Sequence, residues 1–251
     1  VNDRPNITVV FAITADGKIS DAHGSPGRFG SAADRAHLEQ QVALADAVLM
    51  GAGTLRSEGL AMPVFDADLI RQRVDRGQPP QPVQIICSAS GAIDPRYGFF
   101  RQAVPRWLLT TDRGAAHWAD RVVVAQLADN PPAASTGVTA TLTAGFDRII
   151  TAPQTSTGDL DWLQTLQDLG RSGIAKLAIL GGGNLVGSLL SIGVIDELWL
   201  TVCPLLVGGA TAPTPMDGVG LPLKQACWLD LISAEPRGAE VFLHYRRRTT
   251  D

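Results

Sequence analysis

The chain is poor in the features that mark several protein classes. It has only 3 cysteines in 251 residues (Cys87, Cys203 and Cys227), an odd and scattered set that argues against a disulfide framework. Its 4 histidines form no HxxxH or HExxH pattern and no CxxC occurs, so no metal site is expected. Basic residues are not in excess: 21 Lys and Arg stand against 25 Asp and Glu, which excludes nucleic acid as an expected partner. No apolar run approaches the ~20 residues of a membrane span, and the N-terminus lacks the basic-then-apolar plan of a signal peptide. A cytoplasmic location is therefore expected. No Ser-His-Asp or Cys-His arrangement suggests nucleophilic catalysis, and no carboxylate pair suggests glycoside hydrolysis.

What the chain does have is an ordinary hydrophobic share, 45% against 18% charged. That is enough for a large core, and the absence of a linker-like stretch predicts one domain over residues 1–251. Apolar segments alternate between strand and helix periods. Strands are expected at Ile7–Thr14, Ala47–Met50, Val83–Cys87, Arg106–Thr111, Arg121–Val124, Asp147–Thr151, Ala175–Leu180 and Asp196–Val202. Trp228–Ser233 and Glu240–Arg246 follow with no helix between them. Helices are expected over Ser31–Asp46, where Ser31 and Asp34 form a capping-box variant, after Asp159 as N-cap, and over Leu185–Ile192. Asp66–Pro82 reads as a polar surface connection, and Ala128–Gly137 as a loop. The pattern predicts a largely parallel sheet with antiparallel strands at its C-terminal edge.

Two strand-to-helix turns are rich in glycine. In the first, Gly181-x-Gly183-x-x-x-Gly187, backbone N–H groups and a helix N-terminus could receive a diphosphate, or the glycines could merely satisfy a tight turn. The second, Gly51-Ala52-Gly53-Thr54, could form the other side of the same site, or Thr54 could simply cap a helix. No Lys follows as a P-loop requires. Thr110-Thr111-Asp112-Arg113 could hold a ribose 2′-phosphate or be a polar turn. Asp16-Gly17-Lys18 is a turn signal that could face a substrate.

Together these segments resemble the reductase domain of riboflavin biosynthesis, within the dihydrofolate-reductase-like superfamily. The carrying blocks are Arg4-Pro5, Ala15–Ile19, Asp46–Leu55, Leu180–Leu185, Gly193–Leu198 and Pro204–Gly209. The resemblance implies a twisted, mostly parallel α/β sheet with helices on both faces, a homodimer, and NADPH as cofactor. The implied substrate is a small molecule, a ribosylaminopyrimidine 5′-phosphate reduced at C1′ of its ring-opened ribose. By position, Gly51, Gly53, Thr54, Gly181, Gly182, Gly183, Asn184 and Leu185 would line NADPH, with Thr110 and Thr111 near its 2′-phosphate. Asp16, Gly17, Ser31 and Arg35 would lie on the substrate side, Asp16 and Glu58 being the catalytic candidates. The chain departs from the family at Glu58-Gly59-Leu60, where two aspartates and a proline are usual. It departs also at Leu180 for Glu, Val42 for Arg and Ser88 for Asp. Two alternatives follow: a dihydrofolate or other small-heterocycle reductase, for which Asp34 is a poor match to the usual helix carboxylate, or a non-catalytic dinucleotide-binding scaffold.

Overall fold

The computed structural model describes residues 3–118, 145–156 and 158–248. Nine strands form one sheet: β1 (Asn6–Thr14), β2 (Ala47–Gly51), β3 (Val83–Cys87), β4 (Arg106–Thr110), β5 (Arg148–Thr151), β6 (Lys176–Ile179), β7 (Glu197–Cys203), β8 (Leu229–Arg237) and β9 (Glu240–Arg247). Their spatial order is β5-β4-β3-β2-β6-β1-β7-β9-β8. The first seven pair in parallel, and β9 runs antiparallel to both β7 and β8. The expected fold, parallel with an antiparallel C-terminal edge, is what the chain adopts.

The alternation of a strand explains why these segments read as continuous apolar runs. Leu49 of β2, Ile85 of β3, Leu109 of β4 and Ile179 of β6 enter one core cluster. Their neighbours Val48, Ile86, Leu108 and Ala178 enter the other. Helices cover both faces. Helix α1 (Ala32–Leu44) contributes Val42 and Ala43 to the second cluster, and α2 (Ala52–Glu58) contributes Leu55. The first cluster takes in Trp162, Leu166 and Leu169, from Trp162–Arg171, and Leu185, Val186 and Leu189, from Gly183–Ser191.

Asp66–Pro82 is largely exposed, as expected of a surface connection, but it contains a helix. Asp66 accepts hydrogen bonds from the Asp68 and Leu69 amides and caps a helix, α3 (Ala67–Asp75). Arg73 on that helix is wholly buried and donates to the carbonyls of Ala43, Ala45 and Pro79. A polar-looking segment thus hides a side chain that ties α3 to the end of α1. A short helix, α4 (Asp112–Ala116), follows β4. The helix Trp162–Arg171, α5, is capped by Asp161 rather than Asp159. The last helix, α6, begins at Gly183, two residues before the expected start. β8 extends to Arg237, past the expected Ser233, through an irregular register between Leu231 and Ser233. The strand expected at 121–124 and the loop at 128–137 lie outside the described residues.

Three of the sequence blocks serve the amino ends of the parallel strands. Arg4 makes two 2.7 Å hydrogen bonds to the Asp196 carboxylate, which also accepts from the Ile7 amide. Asp46 accepts from the Ala175 and Lys176 amides and joins β2 to β6. Among the described residues no helix is long and apolar enough to cross a membrane.

Candidate functional site

The other end of the sheet, where the parallel strands finish, holds the chemistry-bearing residues. β2 and β6 are neighbours, and both glycine turns emerge there side by side. The Gly51 amide donates to the Gly181 carbonyl at 2.8 Å. A side chain on Gly182 would meet Thr54 Oγ1 at 3.4 Å, so the hydroxyl faces this turn. Gly181 has φ 110°, a region disfavoured for other residues, and a Cβ on it would stand 3.0 Å from the Phe11 ring. The Gly181–Gly182 peptide is cis.

The glycines of the second turn divide by purpose. Side chains on Gly183 and Gly187 would collide with the Thr214 and Asp217 carbonyls, so those two make room for the 214–217 segment. Asp217 completes that packing by donating its amide to the Gly183 carbonyl at 3.1 Å. Gly51, Gly53 and Gly182 leave more space: a Cβ at each would meet no heavy atom closer than 3.4 Å.

Four of the six described helices carry a side-chain N-cap, from Ser31, Asp66, Thr111 and Asp161. Helices α2 and α6 start on Gly51 and Gly182 and have none. The α6 amides thus begin beside the Gly51–Thr54 turn without a competing side-chain oxygen. Thr54 lies within α2 and is not its cap. Asn184 is exposed on the first turn of α6, whereas the Leu185 side chain points into the core.

The threonines placed near a 2′-phosphate have other partners. Thr110, fully buried, donates to the Ser88 carbonyl at 2.6 Å. Thr111 donates to Ala89 at 2.7 Å and accepts from the Gly114 amide. Their hydroxyls join the β3 and β4 loops.

Asp16 follows β1, and Gly17 turns the chain at φ 80°. The Asp16 carboxylate accepts from Thr14 Oγ1 at 2.6 Å and from the Val207 and Gly208 amides at 3.1 and 2.6 Å. These donors, Thr14 foremost, favour the ionised form and hold its pKa down to about 2. Asp16 therefore anchors the 205–208 loop as a carboxylate and is unsuited to donate a proton near neutrality. Glu58, at the far end of α2, pairs with Arg28 at 3.3 Å. Beside it Ser57 donates to the Gly24 carbonyl, so the last turn of α2 is tied twice to the β1–α1 loop.

Ser31 caps α1 through its side chain, but Asp34 does not close the expected capping box. Glu240 of β9 instead accepts from the Ser31 amide at 2.8 Å and hydroxyl at 2.5 Å. Asp34 is buried beneath the loop, where desolvation raises its pKa against a hydrogen bond from Thr201. Arg35 donates to the Gly30 carbonyl. Ser31, Phe29, Pro204, Arg237 and Glu240 line a cavity of about 510 Å³ at this end of β7 and β9. Glu240 and Asp34 are the site-side residues that sequence reasoning missed or undervalued. Glu240 lies in no motif, Asp34 only in the capping-box variant, and only the strand order brings β7 and β9 to α1.

Comparison with known proteins agrees with this architecture. A curated 2,5-diamino-6-ribosylamino-4(3H)-pyrimidinone 5′-phosphate reductase from Archaeoglobus fulgidus is 27% identical over 246 residues, covering 97% of this chain and 100% of the relative. The riboflavin biosynthesis protein RibD of Actinobacillus pleuropneumoniae is 27% identical over 243 residues, and the match covers 57% of that longer protein. The crystal structure of a pyrimidine reductase-like protein from Corynebacterium diphtheriae superposes with a TM-score of 0.74 at 20% identity, over 98% of this chain and 93% of that one. The model of the RibD C-terminal domain matches residues 5–242, which takes in eight of the nine strands and the start of β9. The chain belongs to the RibD C-terminal domain family.

Proposed function

We propose that the chain is an NADPH-dependent reductase of a ribosylaminopyrimidine 5′-phosphate, acting as one reductase unit over its length and as a homodimer. The observation that carries this is the adjacency of the two glycine turns, with the uncapped start of α6 between them and open backbone at Gly51, Gly53 and Gly182. Backbone N–H groups on such a turn suit a diphosphate. The fit to a nicotinamide dinucleotide is thus in the donor set. When bound, that cofactor supplies the hydride that reaches the imine-like C1′ of the ring-opened ribose.

The chain's own part is to bind and orient. Gly51, Gly53, Thr54 and Gly181–Leu185 form the cofactor wall. Asp16 and Gly17, at the exit of β1, lie on the substrate side with Ser31 and Arg35, which stand at the start of α1 after the β1–α1 loop. Glu58 is the remaining catalytic candidate, and its pairing with Arg28 gives it a competing role in holding that loop. A pH–rate profile unchanged in Glu58→Gln would remove it as an acid–base group. The deciding assay follows NADPH absorbance with the deaminated ribosylaminouracil phosphate as acceptor. Turnover supports the reading; NADPH binding without turnover of pyrimidine or pterin moves the chain to the scaffold alternative.

A second reading, reduction of a dihydropterin, gains from Asp34. The structure places this carboxyl on the first turn of α1, buried and bonded to Thr201. Desolvation keeps a larger share of it protonated than in water, which suits recognition of a ring that both donates and accepts. Dihydrofolate turnover that falls at least tenfold in Asp34→Asn would favour this reading, and none in the parent would end it.

A further inference from the structure

Four cations stand in the β1–α1 loop, on α1 and on α2 at the carboxyl end of the sheet, and three are engaged. Lys18 Nζ donates to the Ala212 carbonyl, Arg28 pairs with Glu58, and Arg35 donates to the Gly30 carbonyl. The fourth, Arg56, is exposed on α2, and among the described residues its guanidinium has no ion pair and no hydrogen bond. It does not extend away from the site. Its Nη2 lies 4.0 Å from the point a Cβ on Gly53 would occupy, the one heavy atom within that distance apart from Gly53's chain neighbours and the helix's own backbone. The guanidinium therefore stands one helical turn on from Gly53, beside the space that its missing side chain leaves open.

A phosphorylated dinucleotide brings several negative charges, and the two glycine turns contain no Lys or Arg of their own. The Thr110 and Thr111 hydroxyls, the other expected phosphate ligands, already donate to the Ser88 and Ala89 carbonyls. We propose that Arg56 holds a phosphate of the dinucleotide received by the glycine turns, and so sets cofactor affinity. This rests on the reading of the site as a dinucleotide cleft. A planar guanidinium offers a phosphate two parallel N–H donors, and an unpaired one has no internal contact to give up on binding.

The test is titration of the full chain and of Arg56→Ala, Arg56→Lys and Arg113→Ala with NADPH and with NADH, read by calorimetry, with thermal melts as the fold control. Arg56→Ala is expected to weaken NADPH at least tenfold with an unchanged melt, and Arg56→Lys to recover part of the loss. A loss confined to NADPH assigns the contact to the 2′-phosphate; an equal loss for both cofactors assigns it to the diphosphate. Either result supports the proposal. Binding by Arg56→Ala within twofold of the parent, or a loss seen in Arg113→Ala instead, overturns it. If the parent itself binds neither cofactor, the cleft reading fails first, a result distinct from a silent Arg56.

Discussion

At the level of single residues, the site is built from backbone whose side chains would be in the way. Gly182→Leu should abolish NADPH binding, more than about tenfold or ~1.4 kcal/mol, while far-ultraviolet circular dichroism stays native. Thr54 Oγ1 stands in ordinary contact at 3.4 Å from the first added carbon, so the rest of the leucine side chain would occupy the space left open for the cofactor. Retained affinity would show that the cofactor does not pass this turn. Asp16 invites a different measurement. Its folded pKa, about 2, lies below the ordinary 3.8, so its stabilising effect is present above the ordinary value and is lost as pH falls toward 2. Melting temperatures of the parent and Asp16→Asn should differ at pH 6 and converge steadily below pH 4. A gap that persists at low pH would mean that the Val207 and Gly208 amides are held by something other than the charge.

At the level of elements, the parts most legible in the sequence were those whose pattern is local. β2, β3 and β6 are β-branched or Leu-rich runs bounded by turns, and Ser31 announces α1. Where partners come from far along the chain, the local pattern misleads. Ser31 and Asp34 look like a capping box, yet the second oxygen belongs to Glu240, 209 residues away. The Gly181–Gly187 pattern could not say which glycines serve a ligand, because the 214–217 segment that needs two of them is remote in sequence. The helix and the buried side chain within the exposed 66–82 segment are not legible, because Arg is counted as polar wherever it stands. Arg73 donates to three carbonyls from a fully buried position. Arg73→Leu should destabilise the chain by about 3 kcal/mol, since stranded buried acceptors cost ~1–3 kcal/mol each and repacking offsets part. Urea unfolding measures it, and a loss under 1 kcal/mol would show that water replaces the guanidinium.

For the molecule as a whole, the sheet is covered unevenly. β8 is the edge strand, and Leu231 and Ile232 on it are 56% and 47% exposed, next to Trp228 at 68%. Exposed apolar side chains at a sheet edge suit an association surface, the one the proposed homodimer would use. Leu231→Asp combined with Trp228→Asp should yield a monomer in sedimentation velocity; a parent already monomeric at micromolar concentration would sink the idea. Strand order has another consequence, one that concerns the birth of the chain. β1 is made before the other strands of the sheet, yet it lies between β6 and β7, whose residues begin at 176 and 197. Until β6 is made, an apolar strand waits with both edges unpaired, a natural target for chaperones. A chain stopped after Ile195 should therefore fail to bury Phe11 and should aggregate or bind a holdase, whereas one reaching Arg248 should not. The segment that holds β6 and β7, and not the elements next to β1 in sequence, releases β1 from its escort.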